Sequence, residues 1–177
     1  MMNPQAKRLH ASLAKEIGSD FADGLLAAHP LAKSPSHSNA QSWANDICTE
    51  LEERLPPEKV LAVRKGCACG PAQEAMEKWK KLHDTSTSLS DFARRVREAG
   101  LGVGLETDGQ DLLLSYPQCY CSFVKHSAET LPASWCACTL GYTERLFQHV
   151  LDRPVEASLL ESIKTGGSCC VIRVKIV

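Results

Sequence analysis

Eight of this chain's nine cysteines come in pairs, and they are the residues best suited to chemistry. Cys67-Ala68-Cys69, Cys119-Tyr120-Cys121 and Cys136-Ala137-Cys138 are Cys-x-Cys pairs, Cys169-Cys170 is vicinal, and Cys48 stands alone. An exported disulfide protein would explain many cysteines. Here the count is odd, and Met1 to Asp20 is charged and polar with no signal-peptide core. The expected location is cytoplasmic, where paired thiols serve metal or thiol chemistry. Candidate metal ligands are Cys67, Cys69, Cys119, Cys121, Cys136, Cys138 and Cys170. Zinc is the expected metal, and four thiolates would serve an iron–sulfur cluster equally. Cys69 and Cys138 are the candidate nucleophiles, because a thiol at a helix N-terminus meets the positive end of the dipole and ionises more readily. Cys48, alone on a helix, reads as core.

Spacing limits how such pairs work. Zinc holds each sulfur at about 2.3 Å, so two ligand sulfurs lie under ~4 Å apart. Residues i and i+2 of a flat strand are ~6.6 Å apart, so a Cys-x-Cys pair there supplies one ligand rather than two. The stronger zinc signature, Cys-x-x-Cys twice, is absent. The six histidines are scattered, and His126 is the one close enough to a pair to be a fourth ligand or a base. The glycines beside the pairs, Gly66, Gly70 and Gly167, allow close backbone approach to a ligand. Gly100-Leu101-Gly102-Val103-Gly104 sits in a hairpin with no helix after it, so it is not a phosphate cradle.

Helices and strands must bring these junctions into place. Leu9, Leu13, Ile17, Phe21 and Leu25 recur every four residues and predict an amphipathic helix over 4–28. A polar, proline-containing linker, 29–39, follows. Residues 41–54 predict a second helix. Pro56-Pro57 opens a third that Gly66 closes in the left-handed conformation. Gly70-Pro71 opens a fourth running to about His83, and Ser88 with Asp91 caps a fifth that ends at Gly100. Period-two alternation then predicts a hairpin, 101–105 with 112–116, around Thr107-Asp108-Gly109-Gln110. Cys119 to Lys125 reads as a third strand, 138–151 as a helix, and 155–176 as a second hairpin. The expected fold is α+β: N-terminal helices plus a curved antiparallel sheet with one inserted helix. Residues 1–40 read as a helical arm and linker, and 41–177 as a single cysteine-rich domain.

With 20 basic and 21 acidic side chains the formal charge is −1, which argues against nucleic acid as a partner. No apolar run approaches the ~20 residues of a membrane span. The partners this leaves are a small-molecule ligand and a second copy of the chain docked through the N-terminal helix.

The last 60 residues carry a resemblance. Trp135-Cys136-Ala137-Cys138-Thr139-Leu140-Gly141-Tyr142, Leu146-Phe147, Pro154-Val155, Glu161-Ser162-Ile163, Gly166-Gly167 and Cys170-Val171-Ile172-Arg173-Val174 resemble the C-terminal half of the bacteriochlorophyll 4-vinyl-reductase-like domain. More closely, they resemble cysteine-rich bacterial proteins related to L-2-amino-thiazoline-4-carboxylate hydrolase. Cys67-Ala68-Cys69-Gly70 and Tyr116-Pro117-Gln118-Cys119-Tyr120-Cys121 extend the resemblance over about 60–177. It implies helices and a curved sheet around a small-molecule pocket, and a structural zinc near the final hairpin in some relatives. There an acidic residue is followed three positions later by a ligand cysteine. Here Glu161 is followed by Lys164, so the matched ligand positions are Cys136, Cys138 and Cys170.

Three functions fit these residues. The preferred one is a metal- and/or small-molecule-binding domain, acting as a sensor or binding module. The alternative is a cysteine-dependent hydrolase or thiol-redox enzyme. The third is a structural role in which the thiols only pack.

Overall fold

The computed structural model describes residues 2–177. The fold is α+β, with seven α-helices and one four-stranded antiparallel sheet among the described residues. Contacts divide the chain into two compact units. The first comprises residues 1–68 and 120–139, the second 69–119 and 140–177.

The first unit is helical. α1 (Pro4–Glu16) starts with Asn3 accepting from the Gln5 N–H and with proline in its first turn, where no donor is lost. The predicted single helix over 4–28 is broken. Gly18 has φ 135°, and α2 (Ser19–Ala28) starts again after it. The four-residue apolar spacing runs on through the break, so periodicity alone could not show it. α3 (His37–Arg54) begins earlier than expected, because Ser36 accepts from the Asn39 N–H and caps it. α4 (Pro57–Gly66) follows, and a 3-10 turn covers Ala133–Ala137. Leu9 and Leu13 of α1, Leu25 of α2, Ile47 and Leu51 of α3 and Val63 of α4 are wholly buried together. Residues expected as an arm thus contribute to this unit's core.

Cys119 to Lys125 is not a strand. The Val124 and Lys125 N–H groups both donate to the Cys121 carbonyl, which coils the segment into turns. Gly66 does not close α4 in the left-handed conformation either. It is the last helical residue, and Cys67 caps the helix with right-handed angles.

The second unit holds the sheet. α5 (Gln73–Asp84) and α6 (Leu89–Glu98) precede β1 (Gly104–Thr107) and β2 (Leu112–Tyr116). α7 (Cys138–Leu151), which enters this unit at Leu140, then leads to β3 (Val155–Glu161) and β4 (Cys170–Ile176). The strand order is β1-β2-β4-β3. Leu105 pairs with Leu114, and Leu114 with Ile172, so one face of the sheet is continuous leucine and isoleucine. Trp79 of α5 meets Phe92 of α6 and Phe147 of α7 edge-on, at ring-centre distances of 6.2 and 5.6 Å. The turn at 107–110 forms as expected. Gly109 has φ 98°, and Asp108 accepts from the Gln110 and Asp111 N–H groups.

At the start of α6, Ser88 caps the helix while Asp91 accepts from the Thr87 N–H and pairs with Arg94 and Arg95. The Arg94 contact first, then the Thr87 N–H, hold the Asp91 carboxyl down at about 2, from an ordinary 3.8. A carboxylate depressed by folding adds stability that is full above its unfolded pKa and is lost as pH falls through the folded one. Asp91's contribution is therefore complete above about pH 4 and disappears between about 4 and 2. Asp91→Asn is expected to lower stability above about pH 4 and to flatten the fall between about pH 4 and 2, as measured by urea unfolding at stepped pH.

Candidate functional site

α4 places the residues that matter most. Val60, Val63, Arg64 and Cys67 recur at the i, i+3, i+4, i+7 spacing of one helix face, and all four are buried. Arg64 thus lies in the apolar stripe, with 0% of its surface exposed. Its Nε donates to the Ser134 carbonyl at 3.3 Å and its Nη2 to the Trp135 carbonyl at 2.8 Å. Its Cζ lies 4.4 Å from the centre of the Trp135 ring, a cation–π contact. Nη1 has no hydrogen-bond partner. The Trp135 Nε1 donor is also buried without a partner.

The groups whose charge bears most on Arg64 are four thiols: Cys48 of α3, Cys138 at the start of α7, Cys67 and Cys121. No carboxylate ranks with them. Burial opposes the guanidinium's charge and the thiols favour it, and the balance keeps its pKa above the ordinary value. Burial pushes the Cys48 and Cys67 thiols up, against the pull of Arg64 on both. Each also has a hydroxyl beside it, Ser134 for Cys48 and Ser12 for Cys67. Burial thus favours the uncharged form of both, and no carboxylate is among the groups that bear most on Arg64.

A second arginine leans on the same thiol. The Arg8 charge lowers Cys67, and Arg8 Nε is another buried donor without a partner. α1 can approach α4 this closely because position 66 is glycine. Ser12 Oγ donates to the Val63 carbonyl at 2.7 Å, as does Cys67 Sγ at 3.1 Å. A Cβ on residue 66 would stand 2.1 Å from that hydroxyl oxygen. Trp135, under Arg64, stacks on Phe123 at 5.7 Å, and Trp43 meets both rings edge-on. Trp43 also lines an open cavity of about 400 Å³ against the α2–α3 linker, with His29, Pro30, Pro35 and Asp46.

The cysteines expected to share one site divide between the units. Cys67, Cys121, Cys136 and Cys138 lie in the first, and Cys69, Cys119 and Cys170 in the second. The chain passes between units at 68/69, 119/120 and 139/140, and a Cys-x-Cys pair stands at each crossing. Among the described residues, no three His, Cys, Asp or Glu side chains are grouped to hold a metal ion.

The nucleophile candidates fare differently. Cys138 does begin α7. Cys69 is exposed but lies ahead of α5, which starts at Gln73 rather than Gly70, so the helix-dipole argument for it falls away. The residue before Pro71 is disfavoured from helix, which moves the start downstream. Arg145 Nη2 donates to the Cys69 carbonyl at 3.1 Å. His126 stacks on His37, ring centres 4.4 Å apart. Glu161 organises the final hairpin: its carboxylate accepts from the Ser168 N–H at 2.7 Å and the Cys169 N–H at 3.3 Å.

Sequence reasoning missed Arg64. The available signal was its position on the Val60–Cys67 stripe, where a charged residue is out of place.

The chain belongs to a family of unknown function (DUF6144), whose model matches residues 3–177. That family, and not the two named by the sequence resemblance, is what the match establishes. No curated protein matches the chain. Among solved structures, the chain is similar to a mutant H-NOX protein from S. oneidensis in the Fe(II) ligation state. Identity is 15% and the TM-score 0.49, over 100% of this chain and 96% of that one. The Fe(II)NO state of an H-NOX protein from S. oneidensis gives 15% and 0.48, over 100% and 99%. A trafficking protein particle complex subunit 3 from Naegleria fowleri, covalently bound to palmitic acid, gives 12% and 0.44, over 80% and 94%. No helix among the described residues is long and apolar enough to cross a membrane.

Gly66→Ala is expected to force α1 away from α4 and to destabilise the protein by about 1–3 kcal/mol, the usual cost of overpacking a filled interior. Denaturant unfolding measures it, and Ser12→Ala in the same chain should recover part of the loss.

Proposed function

We propose that the protein is a binding module, a sensor or carrier, whose guest brings or creates negative charge beside Arg64 in the first unit. The observation that carries this reading is the guanidinium itself. Arginine stays protonated in proteins. Here it is wholly buried, with two neutral carbonyls, an aromatic face and one unused N–H edge, and no carboxylate among the groups that bear most on it. An uncompensated interior charge costs several kcal/mol, and packing alone would be served as well by an apolar side chain. Arg64 Nη1 and Trp135 Nε1 are buried donors without partners, open to an electron-rich atom.

This keeps the binding-module expectation and relocates its working element. The cysteines take part as the neighbours of Arg64. The enzyme alternative would rest on Cys138, which begins α7, rather than on Cys69, which lies ahead of α5.

The test is thermal unfolding of protein purified without chelator, in nitrite, thiocyanate, formate and bicarbonate, and with silver ion as a thiolate-seeking probe. At least one of these is expected to raise Tm; a guest at a hundred times its Kd adds about 2.7 kcal/mol. Arg64→Met should abolish that rise. Arg64→Lys, which keeps the charge but loses the planar fork, should keep part of it. A panel with no effect, or an equal response from Arg64→Met, would overturn the reading.

A further inference from the structure

The linker between α2 and α3 stands off the helix it leads into, and side chains hold it there. Trp43 Nε1 of α3 donates to the His29 carbonyl at 2.9 Å. Asn3 is itself buried. Its Oδ1 caps α1, while its Nδ2 donates to the carbonyls of Ala32, at 3.3 Å, and Lys33, at 3.0 Å. The His29 ring is tied as well, with Nε2 at 2.5 Å from Glu50 Oε2. Pro30 and Pro35 fix φ at two further points. Between this pinned linker and α3 lies the open cavity of about 400 Å³, a size within the ~300–1,000 Å³ of small-molecule sites.

The two walls of the cavity differ in chemistry. Pro30, Leu31 and Pro35 make the linker wall apolar, and the His29 and Ala32 carbonyls are already engaged. The α3 wall is Asn39, Ser42, Trp43 and Asp46, at the i, i+3, i+4, i+7 spacing of one helix face. The Trp43 N–H is used by the linker, which leaves the exposed side chains of Asn39, Ser42 and Asp46 to meet a guest. Glu50 continues the same face, but His29 and Arg54 each approach it at 2.5 Å, and those two contacts hold its carboxyl below the usual range. Asp46 has only the neutral Asn45 amide beside it, at 3.5 Å, among the described residues. No lysine or arginine lines the cavity.

We propose that this cavity binds a small primary alkylammonium ion, with its head on Asp46 and its stem against Leu31 and the two prolines. Charge selects the head. The lining has one carboxylate and no lysine or arginine. An anion would be repelled, and a neutral molecule would leave that charge unanswered. A primary ammonium carries three donors, and Asn39 Oδ1 and Ser42 Oγ are acceptors on the face that Asp46 occupies. The cavity is open, so a guest reaches it directly from solvent. This site does not depend on the Arg64 reading: Arg64 does not line it, and its guest has the opposite charge.

Of the three tryptophans, Trp43 is the one that lines the cavity, so its indole N–H is a local reporter in proton–nitrogen NMR of the full-length protein. The probes are n-butylammonium, n-butanol and butyrate, one stem with three heads, titrated at pH 7. n-Butylammonium should shift the Trp43 signal saturably and leave the Trp79 signal, from the second unit, in place. The alcohol and the carboxylate should bind at least tenfold more weakly. Asp46→Asn should weaken n-butylammonium binding at least tenfold, to the level of the alcohol. Ser42→Phe, which fills the cavity from an exposed helix position, should abolish the shift. An unchanged Trp79 signal shows that each variant is folded; should one fail to fold, the comparison of three probes on the native protein still decides. No saturable shift in the native protein, an equal response to the three probes, or an undiminished response in either folded variant overturns the proposal.

Discussion

A guanidinium that never gives up its proton sits inside the packing of the first unit, and the surrounding side chains are arranged around that charge. Arg64 is held on three sides: by the Ser134 carbonyl, the Trp135 carbonyl and the Trp135 ring. These contacts orient it without neutralising it. Hydrogen bonds from charged donors contribute roughly 1.5–3 kcal/mol each, and a desolvated cation–π contact about 2. Together they roughly offset the several kcal/mol that burial of the charge costs. An arrangement near balance gains little stability from its charge. It does gain a strong, fixed attraction for any negative charge that reaches it.

The local structure follows from that constraint. The Ser134 and Trp135 carbonyls are available because residues 133–137 form a 3-10 turn, and that turn runs straight into the helix that starts at Cys138. Gly66 lets α1 close over the end of α4, bringing the Ser12 hydroxyl to Cys67. Phe123 and Trp43 complete the aromatic wall behind Trp135. The turn-rich segment after Cys119 supplies Phe123, which stacks on Trp135.

Local signals in the sequence were legible where one interaction decides the structure. Alternation of Leu112 and Leu114 with Leu105 identified the first hairpin, and Gly109 with Asp108 its turn. Ser88 with Asp91 marked the start of α6. What was hidden depended on contacts distant in sequence. The helix over 4–28 kept its apolar spacing through the break at Gly18, where only the backbone angle changes. The cysteine pairs were correctly seen as lying at junctions, but the junctions are crossings between two units, which spacing cannot express. Arg64 was overlooked because a charged residue is ordinarily assigned to solvent. Its spacing with Val60, Val63 and Cys67 pointed inward all the same.

The central claim is that the negative charge opposite Arg64 comes with a guest and is not already present as a resting thiolate. Thiolate ultraviolet absorbance, titrated against pH in metal-free native protein, Cys48→Ser and Cys67→Ser, measures this directly. Burial holds both thiols above their ordinary pKa, so neither should contribute a thiolate at pH 7, and the three titrations should coincide through neutrality. A thiolate present at pH 7 in the native protein and lost in either variant would show that Arg64 already has its counter-ion, and would contradict the account.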